Sequence, residues 1–189
     1  MRTRHVVLLV GALLLGALGE AAARPRLYFE IRGVKEPQGT KPSLKDRARA
    51  VFLEEIKKHP QVVTDLGDPP PADLAKALKS RRLAGYGLVL RVTKVAHSMN
   101  PPPKGKVYRV LMVEVAVAID AEKIPSGQMA LAGEGSAQVG TEVSRFKEKE
   151  RVQLVNEALV EAIRQAVGKS IDKLSPGAKK RPARRKRSR

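Results

Sequence analysis

The chain contains no cysteine. That excludes disulfides, thiolate metal centres, a cysteine nucleophile and a lipid-modified amino-terminal cysteine. It leaves the redox compartment open, because an oxidising compartment permits disulfides without requiring them. Aromatics are scarce: three Tyr and three Phe, scattered rather than set out as a platform for stacking bases. Acids are outnumbered as well, with 19 Asp and Glu against 37 Lys and Arg and a formal charge of +18. Beyond Ala23 the histidines are His59 and His97, and neither sits in a metal-ligand spacing. The apolar run Val6–Leu18 covers about 13 residues, short of the roughly 18 that cross a bilayer.

Hydrophobic residues make up 42% of the chain and charged ones 30%, which excludes wholesale disorder. A length of 189 residues accommodates one ordinary domain with an extension at each end. The first extension, residues 1–23, reads as a secretory signal peptide. Arg2, Arg4 and His5 make a basic start, an apolar stretch follows, and Ala21-Ala22-Ala23 supplies small residues for a signal peptidase. Cleavage there makes Arg24 the first mature residue, leaves no membrane span and predicts an exported protein, periplasmic or secreted.

The second extension, residues 176–189, follows the helix stop Ser175-Pro176-Gly177. Its cations are Lys179, Lys180, Arg181, Arg184, Arg185, Lys186, Arg187 and Arg189, with no acid among them. Mutual repulsion and the lack of apolar side chains predict a disordered basic tail. Between Arg24 and Ala178 there remain 27 cations against 18 anions, so basicity belongs to the domain as well as to the tail.

Residues 24–175 form the single domain. Leu27–Val34 has the alternation of a strand. Ser43-Leu44-Lys45-Asp46 has the spacing of a capping box with Asp in place of Glu. Leu44, Ala48, Val51, Phe52 and Ile56 then fall on one helical face, and His59-Pro60 ends that helix. Val62-Val63 makes a short strand, and Pro69-Pro70-Pro71 introduces a second helix carrying Lys76, Lys79, Arg81 and Arg82.

Three longer strands follow. The first puts Tyr86, Leu88, Leu90 and Val92 on one face, with Val89, Arg91, Thr93 and Val95 opposite. Beyond a hairpin at Asn100–Gly105, the second puts Leu111, Val113, Val115, Val117 and Ile119 on one face, with Met112, Glu114, Ala116 and Asp120 on the other. Glu114 and Asp120 predict that this second face is open to water, as antiparallel sheets allow; a covered face would demand a partner such as Arg. The third is predicted to turn Met129, Leu131, Ala137 and Val139 inward. Gly133 and Gly135 share that side, leaving room for a helix or permitting a bulge. A final amphipathic helix carries the stripe Val152, Val155, Ala158, Leu159, Ala162, Ile163, Ala166, Val167, Ile171 and Leu174. The fold class is α+β, a mainly antiparallel sheet packed against helices.

The helix Ala72–Leu78 running into the strand Gly85–Val92, the strand Val113–Ile119, the turn Ile124–Gly127 leading into Ala132–Ala137, and the closing Ala-rich helix make a recognisable order. It resembles the small α+β domain of bacterial envelope assembly factors: the amino-terminal domain of the periplasmic Tol–Pal translocation protein, the lipoprotein activators of penicillin-binding proteins, and the curli secretion channel subunit. The resemblance spans Leu27–Leu174 and implies a non-catalytic domain that binds other envelope components. The lipid-anchoring cysteine of several members is missing, as are the paired amphipathic hairpins of a membrane channel. No motif matches residue by residue, so the resemblance implies no site residue.

Direct tests for chemistry return no catalytic, cofactor or metal residue. Gly-x-Ser-x-Gly and the phosphate-binding loop are absent, and Gly133-Glu134-Gly135-Ser136 lacks the rest of a dinucleotide fingerprint. Glu54 and Glu55 are adjacent on a helix and point apart. Asp65 and Asp68 flank one loop and can face one pocket, with nothing to fix them as an acid/base pair. The candidate site is therefore the tail, whose cations bind polyanions by releasing counterions. The expected partner is an envelope protein, or an anionic envelope polymer or lipid surface. A nucleic-acid-binding protein using the same tail is the alternative, disfavoured by the export signal and the scattered aromatics, and an unrecognised envelope hydrolase is a third.

Overall fold

The computed structural model describes residues 26–175 apart from 41, 42, 68, 103 and 106. Residues 1–23, read above as a signal peptide, and the basic tail, residues 176–189, lie outside the described residues. In chain order the elements are β1 (Arg26–Lys35), α1 (Lys45–Lys57), β2 (Val62–Val63), α2 (Pro71–Ser80), β3 (Leu83–Asn100), β4 (Arg109–Ile124), β5 (Met129–Val143) and α3 (Glu148–Leu174). They build one five-stranded sheet ordered β2-β1-β3-β4-β5. The long strands β3, β4 and β5 pair antiparallel, while β1 joins parallel to both β2 and β3. The α+β class holds. The parallel join was not legible in the alternation of Leu27–Val34, which is the same for either direction.

One face of the sheet carries the core. Leu27 and Phe29 of β1, Leu88, Leu90 and Val92 of β3, and Leu111 to Ile119 of β4 at every second residue are buried against α1 and α3. Val-rich β4 suits its central place, because β-branched side chains pack well on a pleated surface. Phe29 meets Tyr86 edge to face at 6.3 Å across the β1–β3 pair. On the opposite face α2 covers only one corner, where Tyr28, Leu66 and Leu78 form a small second cluster.

The close approach of α3 to β5 holds the two layers together. A Cβ on Gly133 would lie under 3.0 Å from the Ala166 carbonyl and from Ser170, and one on Gly135 would collide with the Ala162 carbonyl. Both glycines therefore serve as clearance for helix backbone. Ala162, Ala166 and Ser170, spaced by four, present the matching small face, and the buried Ser170 hydroxyl donates to the Ala166 carbonyl at 2.7 Å.

Several local expectations need correction. The capping box at Ser43 does not form: Leu44 is the N-cap residue, and the Ser43 hydroxyl accepts only a long hydrogen bond from the Lys45 N–H, at 3.5 Å. The Glu36 carboxylate anchors the start of the helix by accepting from the Leu44 N–H and the Ser43 hydroxyl, each at 2.8 Å. Val95 packs on the core because a bulge between Val92 and Lys94 shifts the alternation by one. The opposite happens on β5, where an extra residue at Ala132 buries Ala132 and leaves Met129 60% and Leu131 40% exposed. On α3, Leu154 is buried and Val152 only half-buried.

Two glycine substitutions separate clearance from flexibility. Gly135→Ala should cost about 3 kcal/mol, because helix backbone cannot move aside for a methyl group. Gly168→Ala on α3, where no atom lies within 4 Å of the added carbon, should raise stability by about 0.5–1 kcal/mol. Denaturant unfolding of the two variants checks both signs.

Candidate functional site

The face of the sheet away from α1 and α3 is uncovered along most of β3, β4 and β5, and strand alternation sorts charge onto it. Arg91 and Lys94 of β3 lie there, with Glu114, Asp120 and Glu122 of β4 and Glu134 and Glu142 of β5. The open face predicted from Glu114 and Asp120 is present, and the acids on it also have cationic neighbours. Arg91 grips Asp120 with two hydrogen bonds, at 2.5 and 3.0 Å. Lys94 meets Glu114 at 2.7 Å. From β1, Arg32 reaches over the intervening strand β3 to Glu122 and also contacts Glu30. It can do so because Gly87 offers no Cβ, and the guanidinium occupies the space a side chain would take. The Arg91 guanidinium is held above its ordinary pKa by the hydrogen bonds and charge of Asp120, with Glu134 adding to the field.

Where this ladder meets α2, a cleft of about 550 Å³ opens, lined by Tyr28, Glu30, Arg32, Asp65, Leu74, Glu122 and Lys123. Asp65 is in it, but its carboxylate accepts the Gly67 N–H at 2.7 Å and shapes the loop. Asp68 lies outside the described residues. Glu30 and Glu122 are both drawn to Arg32. The acids whose contacts are seen in the cleft are thus engaged with the protein itself.

Other candidates fall apart in space. Glu54 is exposed while Glu55 is 4% exposed, tied to Lys58 at 2.7 Å and near Arg164 of α3 at 3.8 Å. A buried Glu55 was readable from the series 48, 51, 52, 55, 56 on one helix face. His97 stacks on Phe146 with ring centroids 6.2 Å apart. Among the described residues no group of three or more His, Asp or Glu is arranged to hold a metal, and no helix is long and apolar enough to cross a membrane. The eight tail cations, Lys179 to Arg189, lie outside the described residues.

Exposed cations also lie on the two short helices. Lys45, Arg47 and Arg49 of α1 and Lys76 and Lys79 of α2 are exposed and make no ion pair among the described residues. Arg82, just past α2, is exposed with a left-handed backbone, φ 53°.

No family model matches the chain, and no curated protein matches it in sequence. Solved structures do align with it. A hypothetical protein of Chlamydia trachomatis matches at 5% identity and a TM-score of 0.49, over 79% of this chain and 98% of that one. A neuraminyllactose-binding hemagglutinin homolog of Helicobacter pylori matches at 9% identity and 0.44, over 82% and 85%. A minor lipoprotein of Acinetobacter baumannii matches at 10% identity and 0.39, over 75% and 89%. These are bacterial proteins, one of them a lipoprotein. They are not the Tol–Pal, penicillin-binding-protein-activator or curli proteins whose order of elements the sequence resembles. At these scores the likeness transfers no property and no residue.

Two measurements probe the ion pairs. Gly87→Ala should displace Arg32 yet cost less than about 1 kcal/mol, because a half-exposed pair is weak and the arginine can swing into water. Lys58 is raised above 10.5 chiefly by its hydrogen bond to Glu55. Its stabilisation is therefore complete below that value and is lost as pH rises through the higher folded-state pKa. The gap in melting temperature between the native chain and Lys58→Ala should be open at neutral pH and should close as pH rises through the raised folded-state value.

Proposed function

We propose that this is an exported, non-catalytic binding or assembly-accessory domain of the bacterial cell envelope, docked on polyanions by its tail and by the cations of α1 and α2. The observation that carries this reading is the division of charge in the folded domain. Acids cluster with cations on the open sheet face, while the exposed cations of both short helices form no ion pair among the described residues. Charge left unneutralised on a surface raises the local concentration of opposite charge and speeds encounter.

Arg82 adds support. Helix ends in the left-handed conformation normally take Gly, because a Cβ there is strained. The chain keeps an exposed cation at that point at a conformational cost of about 1 kcal/mol. In the tail, each cation near an anionic lipid surface is worth about 1 kcal/mol, so eight together hold a protein that no single one would. Lipopolysaccharide phosphates, acidic lipid headgroups and cell-wall polymers are the anions an exported protein meets.

Flotation with phosphatidylglycerol vesicles tests the reading. Deleting residues 182–189 should lower vesicle retention several-fold and leave the melting temperature nearly unchanged. Equal retention of both chains at low salt would remove the tail from the proposal. Arg82→Gly should weaken retention while stability stays level or rises by up to about 1 kcal/mol, the reverse of what a residue kept for folding would show.

A further inference from the structure

The open face of β3, β4 and β5 runs against the charge of the rest of the chain. Five carboxylates point from it: Glu114, Asp120, Glu122, Glu134 and Glu142. The cations that meet them are Arg91, Lys94 and the visiting Arg32. β5 contributes no cation at all. Glu134 and Glu142 are exposed and form no ion pair among the described residues; Glu134 adds to the field at Arg91, and Glu142 bonds Tyr108. In a chain of net charge +18, this is an acidic surface.

The path of the chain brings a complementary segment to it. α3 runs back along β5, with Leu174 near the strand's start: the Lys173 ammonium donates to the Leu131 carbonyl oxygen, and Ser170 and Ala166 lie over Gly133. β5 is the sheet's last strand, so no further strand stands between the end of α3 and the open face. The 14 residues after Ser175 can extend about 45 Å, and Leu131 to Glu142 along β5 covers about 36 Å. Met129 and Leu131, the exposed apolar residues at that corner, suit the aliphatic stems of Lys and Arg.

We propose that the open face of β3–β4–β5 is the docking surface for the chain's own basic segment Lys179–Arg189, which turns round the β5 edge and lies over Glu134 and Glu142. The sheet face and external polyanions then compete for the same eight cations. Docking on the domain is made of exposed pairs, each individually weak, so it yields where phosphate density is high and is sensitive to salt. This adds regulation to the polyanion reading without depending on it for the contact itself.

The test exploits the lack of cysteine. A nitroxide on Ser188→Cys labels the full-length mature chain at one point, and amide intensities report which surface it visits. At about 20 mM salt, amides of β5 and of the β4 residues facing it should lose more than half their intensity. The loss should shrink at least threefold at about 0.5 M salt and in the double variant Glu134→Gln/Glu142→Gln. Undiminished intensities, broadening centred on another surface, or insensitivity to the double variant would each overturn the proposal. So would broadening that appears in full when spin label and isotope label sit on different molecules, because the occupant would then be a second copy. No polyanion is present, so failure here leaves the vesicle result to judge the polyanion reading separately.

Discussion

The approach of α3 to β5 is the constraint on which the architecture rests. Two glycines on one side of a strand, facing alanines and a serine four apart on a helix, let backbone meet backbone. Every side chain on α3 that fills the core, from Leu154 to Leu174, takes its depth from that contact. The same contact delivers the helix's last turn to the beginning of β5, where Lys173 ties it to Leu131. Covering one face of the sheet this tightly with α1 and α3 leaves the other face to α2, which is too short to cover more than a corner.

What remains uncovered has become an electrostatic surface. Open strands need polar side chains, and this chain places acids there more often than bases, although bases are twice as common overall. The excess positive charge sits mainly in the segments between elements and in the sequence beyond α3, while α1 and α2 carry six cations against four acids. The protein therefore has acidic and basic regions as separate objects, and its interactions follow from their separation more than from the total.

Much of this was legible in sequence, and the failures share a cause. Period-two alternation identified the faces of β3 and β4, and the glycines at 133 and 135 pointed to helix clearance or a bulge, because each is a local property. Alternation could not reveal the bulges that return Val95 to the core and expel Leu131, since a bulge exists only relative to a neighbouring strand. The bonds of Glu36 to Ser43 and Leu44, and the reach of Arg32 over Gly87 to Glu122, likewise connect residues outside one local pattern. For the open face, the sequence showed which residues pointed outward but not their register. The tail, conspicuous by composition, lies outside the described residues.

The parallel pairing of β1 with β3 has a consequence for how the chain acquires its shape. β1 is synthesised first and ends in the interior of the sheet, yet its main partner begins at Leu83, with two helices and β2 in between. A chain emerging amino-terminus first must hold Leu27, Phe29 and Ile31 without that neighbour until the whole segment from α1 to α2 has followed. Contacts of such sequence separation slow folding and lengthen the interval in which an unpaired apolar strand is open to other molecules. A chain emerging in that order therefore carries a vulnerable first strand, and an escort for that strand would matter more than one for the self-contained β4–β5 hairpin.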